Sequence, residues 1–161
     1  MQDFDRQFGW IECPDARDAL FPMSTVLPQI PAGVTEKYWW DDGWWGDQGN
    51  SSHCVAYSWL HYIADGPVVQ KGRFPAPLIE PNRFYKECQL RDPWAGEAYA
   101  GTSIRAGALV LKDLGAISEY RWASNINEIV TALLTIGHVV VGTKWYGDMM
   151  NPKNGMLKLS G

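Results

Sequence analysis

The chain of 161 residues is short of the groups that several common functions need. Its three cysteines, Cys13, Cys54 and Cys88, are an odd number with no Cys-x-x-Cys pair among them, which argues against a disulfide framework and turns attention to a free, reactive thiol. Only three histidines are present, His53, His61 and His138, and apart from the neighbours His53 and Cys54 no two Cys or His residues are close in sequence. Adjacent residues rarely both ligate one tetrahedral ion, so neither a metal site nor a cofactor is expected. No Lys/Arg run interleaves with aromatics and the formal net charge is -4, so nothing draws the chain to phosphate backbones or anionic lipid. Nucleic acid and membrane are not expected partners. No apolar run approaches the roughly 20 residues that a membrane helix needs. The opening MQDFDRQFGW has no basic stretch followed by an apolar one, so no secretion signal is visible and a cytoplasmic location is expected.

What is present is the balance of an ordinary folded protein, with 46% hydrophobic and 20% charged residues. Nine tryptophans are many for this length, and Trp39, Trp40, Trp44 and Trp45 fall together. Large amphipathic rings serve cores first and groove walls second.

Along the chain, Pro14, Pro22, Pro28 and Pro31 break any helical period, so residues 1–35 are expected to form an extended arm lying on the rest. An aromatic and Gly/Asp loop follows as far as Asn50. Ser51 or Ser52 is then placed to cap a helix over residues 54–64, which Asp65, Gly66 and Pro67 stop. Residues 67–78 read as loop, and Pro81 suits the first position of a helix ending at Leu90. Thr102 or Ser103 caps a third helix, with Ile104, Leu111 and Leu114 on one face and Gly115 at its end. Ser124 opens a fourth, striped by Ile126, Ile129, Val130 and Leu133 and closed at Gly137. Val139, Val140 and Val141 then read as a buried strand running toward Trp145. Helices first and strands last is the segregated α+β pattern. It predicts a helical lobe over residues 36–116 and a strand-rich lobe over 117–161 that is incomplete, since about three strands are needed for a stable sheet.

The stretch that carries chemistry is Gly46-Asp47-Gln48-Gly49-Asn50-Ser51-Ser52-His53-Cys54-Val55-Ala56-Tyr57-Ser58-Trp59. A cysteine in the first turn of a helix feels the partial positive charge of unpaired N–H groups, which favours thiolate over thiol. The glycine-rich loop before it lets the backbone approach a substrate closely. Gln48 adds a side-chain amide donor to the backbone N–H of Cys54, and two donors aimed at one point form an oxyanion hole.

This segment resembles the papain family of cysteine peptidases, whose Gln-Gly-x-Cys-Gly-Ser-Cys-Trp-Ala-Phe-Ser signature brackets the nucleophile with the same interval as Gln48 to Cys54. Gly49, Ser52, Ala56 and Ser58 coincide with it and Tyr57 replaces Phe, whereas Asn50-Ser51, His53 and Val55 depart from it. A weaker likeness continues through Phe84 to Cys88, through Gly101-Thr102-Ser103 and the Leu114-Gly115-Ala116-Ile117 turn, and at Gly137-His138-Val139. Pro14-Asp15-Ala16-Arg17-Asp18 looks like the short leader segment of bacterial and phage-encoded members. The resemblance implies a papain-like α+β fold and hydrolysis of peptide bonds, with Cys54 attacking and Gln48 holding the oxyanion. It further implies that Ser52 and His53 flank the cleft, that Gly101 and Thr102 border the substrate strand, and that the setting is cytoplasmic or virion-associated.

Such chemistry needs an imidazole to take the thiol proton. In this family it lies roughly 130 to 150 residues after the cysteine, beyond Gly161. His53 projects about 100° away from Cys54 on a helix, His61 lies two turns on, and His138 precedes the expected strand. The base is therefore expected from a further segment or a second chain. Two other readings remain: a non-catalytic binding module on the same scaffold, and a thiol amidase acting on cell-wall peptides, which leaves the Gln48 spacing unexplained.

Overall fold

The computed structural model describes residues 8–39, 44, 46–65, 79–96, 98–146, 149, 152–154 and 156–157. Among them lie four α-helices: α1 Cys54–Ala64, α2 Pro81–Gln89, α3 Ile104–Asp113 and α4 Ile126–Thr135. The first three pack on one another. On α1, Val55, Ala56, Trp59, Leu60, Ile63 and Ala64 recur at helical spacing and form one buried face. It meets Phe84, Tyr85 and Cys88 of α2 and Ala106, Ala108, Val110 and Leu111 of α3.

Small residues on α3 set how closely α1 and α3 approach. The Trp59 indole lies over Gly107, where a Cβ would stand 2.1 Å from the ring, and its Nε1 donates to the Ile104 carbonyl at 3.0 Å.

Capping explains where the helices begin. The Glu80 carboxylate accepts from the backbone N–H groups of Asn82 and Arg83 at 3.0 and 2.9 Å, with Pro81 in the position where a missing N–H costs nothing. Ser103 accepts from Ala106 N. For α4 the cap is Asn125, one residue after the expected Ser124, and Glu128 reaches back to the Ser124 N–H and hydroxyl in the manner of a capping box. The start of α1 differs from expectation: its cap position is His53, not Ser51 or Ser52, and no side chain caps it.

The expected α+β class, with a papain-like architecture and an incomplete strand lobe, is corrected: the described residues form an all-helical structure with no β-strand or sheet. Val139, Val140 and Val141 run without regular pairing, and Val141 is 55% exposed. A run of β-branched residues becomes a strand only where another backbone lies alongside it, and none of the described ones does. Backbone pairing instead occurs as isolated bridges, Trp10 with Thr102 and Pro22 with Trp122, that tie the arm to the helical body. Within the arm, residues Ala16–Leu20 and Met23–Thr25 form short 3-10 helices. The expected loop over 67–78 lies outside the described residues, as do Trp40, Asp41, Asp42 and Trp45. No helix among the described residues is long and apolar enough to cross a membrane.

Candidate active site around Cys54

Cys54 opens α1, with its side chain half-buried. Gln48 is positioned by a tight turn: Ser51 N and Oγ donate to the Gln48 carbonyl at 3.1 and 2.6 Å, and the Gln48 Nε2 donates back to the Ser51 carbonyl at 2.7 Å. Gly49, with φ of +55°, supplies the left-handed residue that this turn requires. The amide carries a second N–H beyond the one given to Ser51. Gln48, Cys54 and Ser58 line one cavity of about 230 Å³ together with Phe8 and Trp10 of the arm and Val140 opposite.

The electrostatics of Cys54 differ from the local helix argument. Burial pushes the thiol pKa up and outweighs the backbone N–H groups of Gly9, Val55, Trp10 and Cys54 itself, which favour thiolate. Two of those four donors belong to the arm. Burial thus favours the neutral thiol over the thiolate at Cys54.

None of the three histidines lines the Cys54 cavity. His53 rests its ring on Tyr85, with centroids 4.0 Å apart. Its pKa is lowered by burial, against the Glu80 charge and a hydrogen bond with Asn82. His61 lies against the Trp44 ring at 4.6 Å, with its Nδ1 3.8 Å from an Asp65 carboxylate oxygen. His138 lines a second, larger cavity of about 820 Å³ among the arm, α3 and α4, of which Cys54 is not part. The two cavities share Trp10, Ile104 and residues 140–143 in their linings.

The other expected site residues have structural duties. Ser52 is buried, and Gly9 presses on its backbone so closely that a Cβ there would lie 1.6 Å from the Ser52 carbonyl oxygen. Gly101 has φ of +110°, and its N–H donates to the Tyr85 hydroxyl at 2.7 Å. Thr102 is fully buried and its hydroxyl donates to Asp92 at 2.7 Å. Their backbones meet the arm rather than open solvent: Thr102 N donates to the Gly9 carbonyl at 2.7 Å and Ile11 N to the Thr102 carbonyl at 3.0 Å.

Two clusters escaped the sequence reading. Asp92 accepts from Tyr99 Oη at 2.5 Å as well as from Thr102, and the Gln89 amide bridges the Tyr85 hydroxyl and the Tyr99 carbonyl, so a buried polar network fixes the loop that carries Gly101 and Thr102. Arg105, on α3, reaches across to Asp15 at 3.2 Å and to both carboxylate oxygens of Asp18, with its guanidinium over the Trp122 ring. The Pro14-Asp15-Ala16-Arg17-Asp18 segment had been legible as a motif, but nothing local marks Arg105, 87 residues from Asp18, as its partner. Among the described residues no three His, Cys, Asp or Glu side chains gather as metal ligands.

Compared with protein-family models, with curated proteins and with solved structures, the chain matches none.

Proposed function

We propose that the protein supplies the nucleophile of a papain-type thiol peptidase. Cys54 attacks the scissile carbonyl, the Gln48 amide and the Cys54 N–H receive the developing oxyanion, and an imidazole from a further segment or a second chain takes the proton. The observation that carries this reading is the joint lining of one cavity by Gln48 and Cys54, with the sulfur at the N-terminus of α1. A removed oxyanion donor costs about 10²–10³ in rate where it acts on the reacting carbonyl. Three unpaired cysteines fit the reducing setting of a cytoplasmic protein.

The test is acyl transfer. A peptidyl p-nitrophenyl ester is mixed with the chain and imidazole is added to stand in for the base. Attack by the Cys54 sulfur forms a thioester and releases p-nitrophenolate, with the thiol proton passing to imidazole. An acyl group on Cys54, accelerated by imidazole and lost in Cys54→Ala, supports the reading. Acylation of Cys13 or Cys88 alone overturns it.

A second reading has its own support. None of His53, His61 and His138 lines the Cys54 cavity, and burial raises the Cys54 thiol pKa, which favours a peptide-binding module without catalysis. Tight binding of an unreacted ester analogue without acyl transfer distinguishes it.

A further inference from the structure

Part of the wall of the cavity at Cys54 is the chain's own arm, through Phe8 and Trp10. Residues 8–11 run alongside Thr102 as a parallel extended segment, held by the Thr102 N–H on the Gly9 carbonyl and the Ile11 N–H on the Thr102 carbonyl. The approach is close enough to dictate sequence. Gly9 leaves no room for a Cβ against the Ser52 carbonyl, and a Cβ on Gly101 would stand 2.5 Å from the Gly9 carbonyl oxygen. On either side of Gly9 the side chains are large and apolar. Phe8 packs against Trp145 at 5.7 Å, and the Trp10 indole covers Gly142, where a Cβ would come within 2.3 Å of the ring. Both line the Cys54 cavity.

We propose that residues 8–11 are a built-in occupant of the Cys54 cleft, and that they display the class of peptide the cleft takes: an extended strand with glycine between two large apolar side chains. This rests on reading that cleft as a peptide site. Two contacts make the case specific, the backbone pairing with Thr102 and the steric demand for glycine over Ser52. The arm thereby shields the sulfur, and a competing peptide of the same pattern must displace it.

The experiment measures alkylation of Cys54 by iodoacetamide in the full chain, resolved by peptide mass. In Gly9→Ala the added methyl group is driven into Ser52, and Cys54 is expected to react about tenfold faster or more as the arm lifts. Trp10→Ala, which removes the indole from Gly142, serves as the second variant, with far-UV circular dichroism checking that the helices persist in both. The pentapeptide of residues 8–12, added to either variant, restores protection, whereas the same peptide with alanine at the glycine does not. Unchanged Cys54 labelling in both folded variants overturns the proposal, as does equal protection by the two peptides. Acyl transfer is read separately. Protection that follows the peptide pattern without any acyl transfer leaves this proposal standing and removes the peptidase reading, while acyl transfer with unchanged labelling does the reverse.

Discussion

Replacing Gly107 by alanine sets two known effects against each other. On an exposed helix the change stabilises by about 1 kcal/mol, because glycine is a poor helix former. On α3 the new methyl group meets the Trp59 indole, with Cδ1 at 2.1 Å and Nε1 at 2.4 Å. Trp59 is itself buried in the core and tied by its Nε1 to Ile104, so moving the ring aside breaks that bond. Overpacking of this kind costs about 1–3 kcal/mol, and loss of the indole hydrogen bond adds about 1 kcal/mol. The clash wins, and Gly107→Ala is expected to destabilise by about 1–3 kcal/mol, the combined range of those effects. Urea unfolding followed by circular dichroism reads this as a lower midpoint at unchanged slope. The cost should shrink in a Trp59→Leu background, where a smaller side chain faces the methyl group. A Gly107→Ala chain as stable as its parent refutes the packing argument.

Other outcomes follow from the same contacts. Asp92→Ala leaves the buried Thr102 hydroxyl without its acceptor and should cost about 2–3 kcal/mol, with faster amide exchange in the Gly101–Thr102 loop. Arg105→Met takes the guanidinium from Asp18 while Asp15 keeps Arg17, and is expected to open the arm to limited proteolysis around residues 13–25. Carboxylates held below their usual range also set an acid limb: Asp15 by the Arg17 side chain, Glu80 by the Asn82 and Arg83 N–H groups, Glu119 by the Arg121 side chain and Glu128 by the Ser124 N–H. Their stabilising contribution is complete above about pH 4–4.5, where the unfolded chain's carboxylates ionise, and is lost as pH falls through the lower folded values. Helix content is therefore expected to melt at lower temperature as pH falls below about 4.5, the ordinary carboxylate range, and Glu80→Gln should blunt the effect. Stability that is flat over that range contradicts the capping scheme.

Local signals made the helices legible. Pro81 and Ser103 mark real starts, Gly115 follows the end of α3, and the apolar spacing of α1 gives its buried face. The expected sheet failed for the opposite reason. A strand is defined by its neighbour, and among the described residues Val139 to Val141 carry the composition of one without a backbone to pair with. The site was legible in the same uneven way. The turn that presents Gln48 follows from Gly49 and its flanking polar residues, and Cys54 does open α1. The sign of the Cys54 shift did not follow, because the helix-terminus argument is local, whereas the burial that overrides it depends on everything packed around the sulfur.

The central claim is that Cys54 and Gln48 act on one carbonyl. It is tested most directly by the rate at which a peptidyl p-nitrophenyl ester acylates Cys54 in the Gly9→Ala chain with imidazole present, compared with the same chain carrying Gln48→Ala. The expected result is a thioester on Cys54 and a loss of about 10²-fold in its rate of formation when the amide is removed. An unchanged rate in Gln48→Ala, or an acyl group found on Cys13 or Cys88 instead, contradicts it.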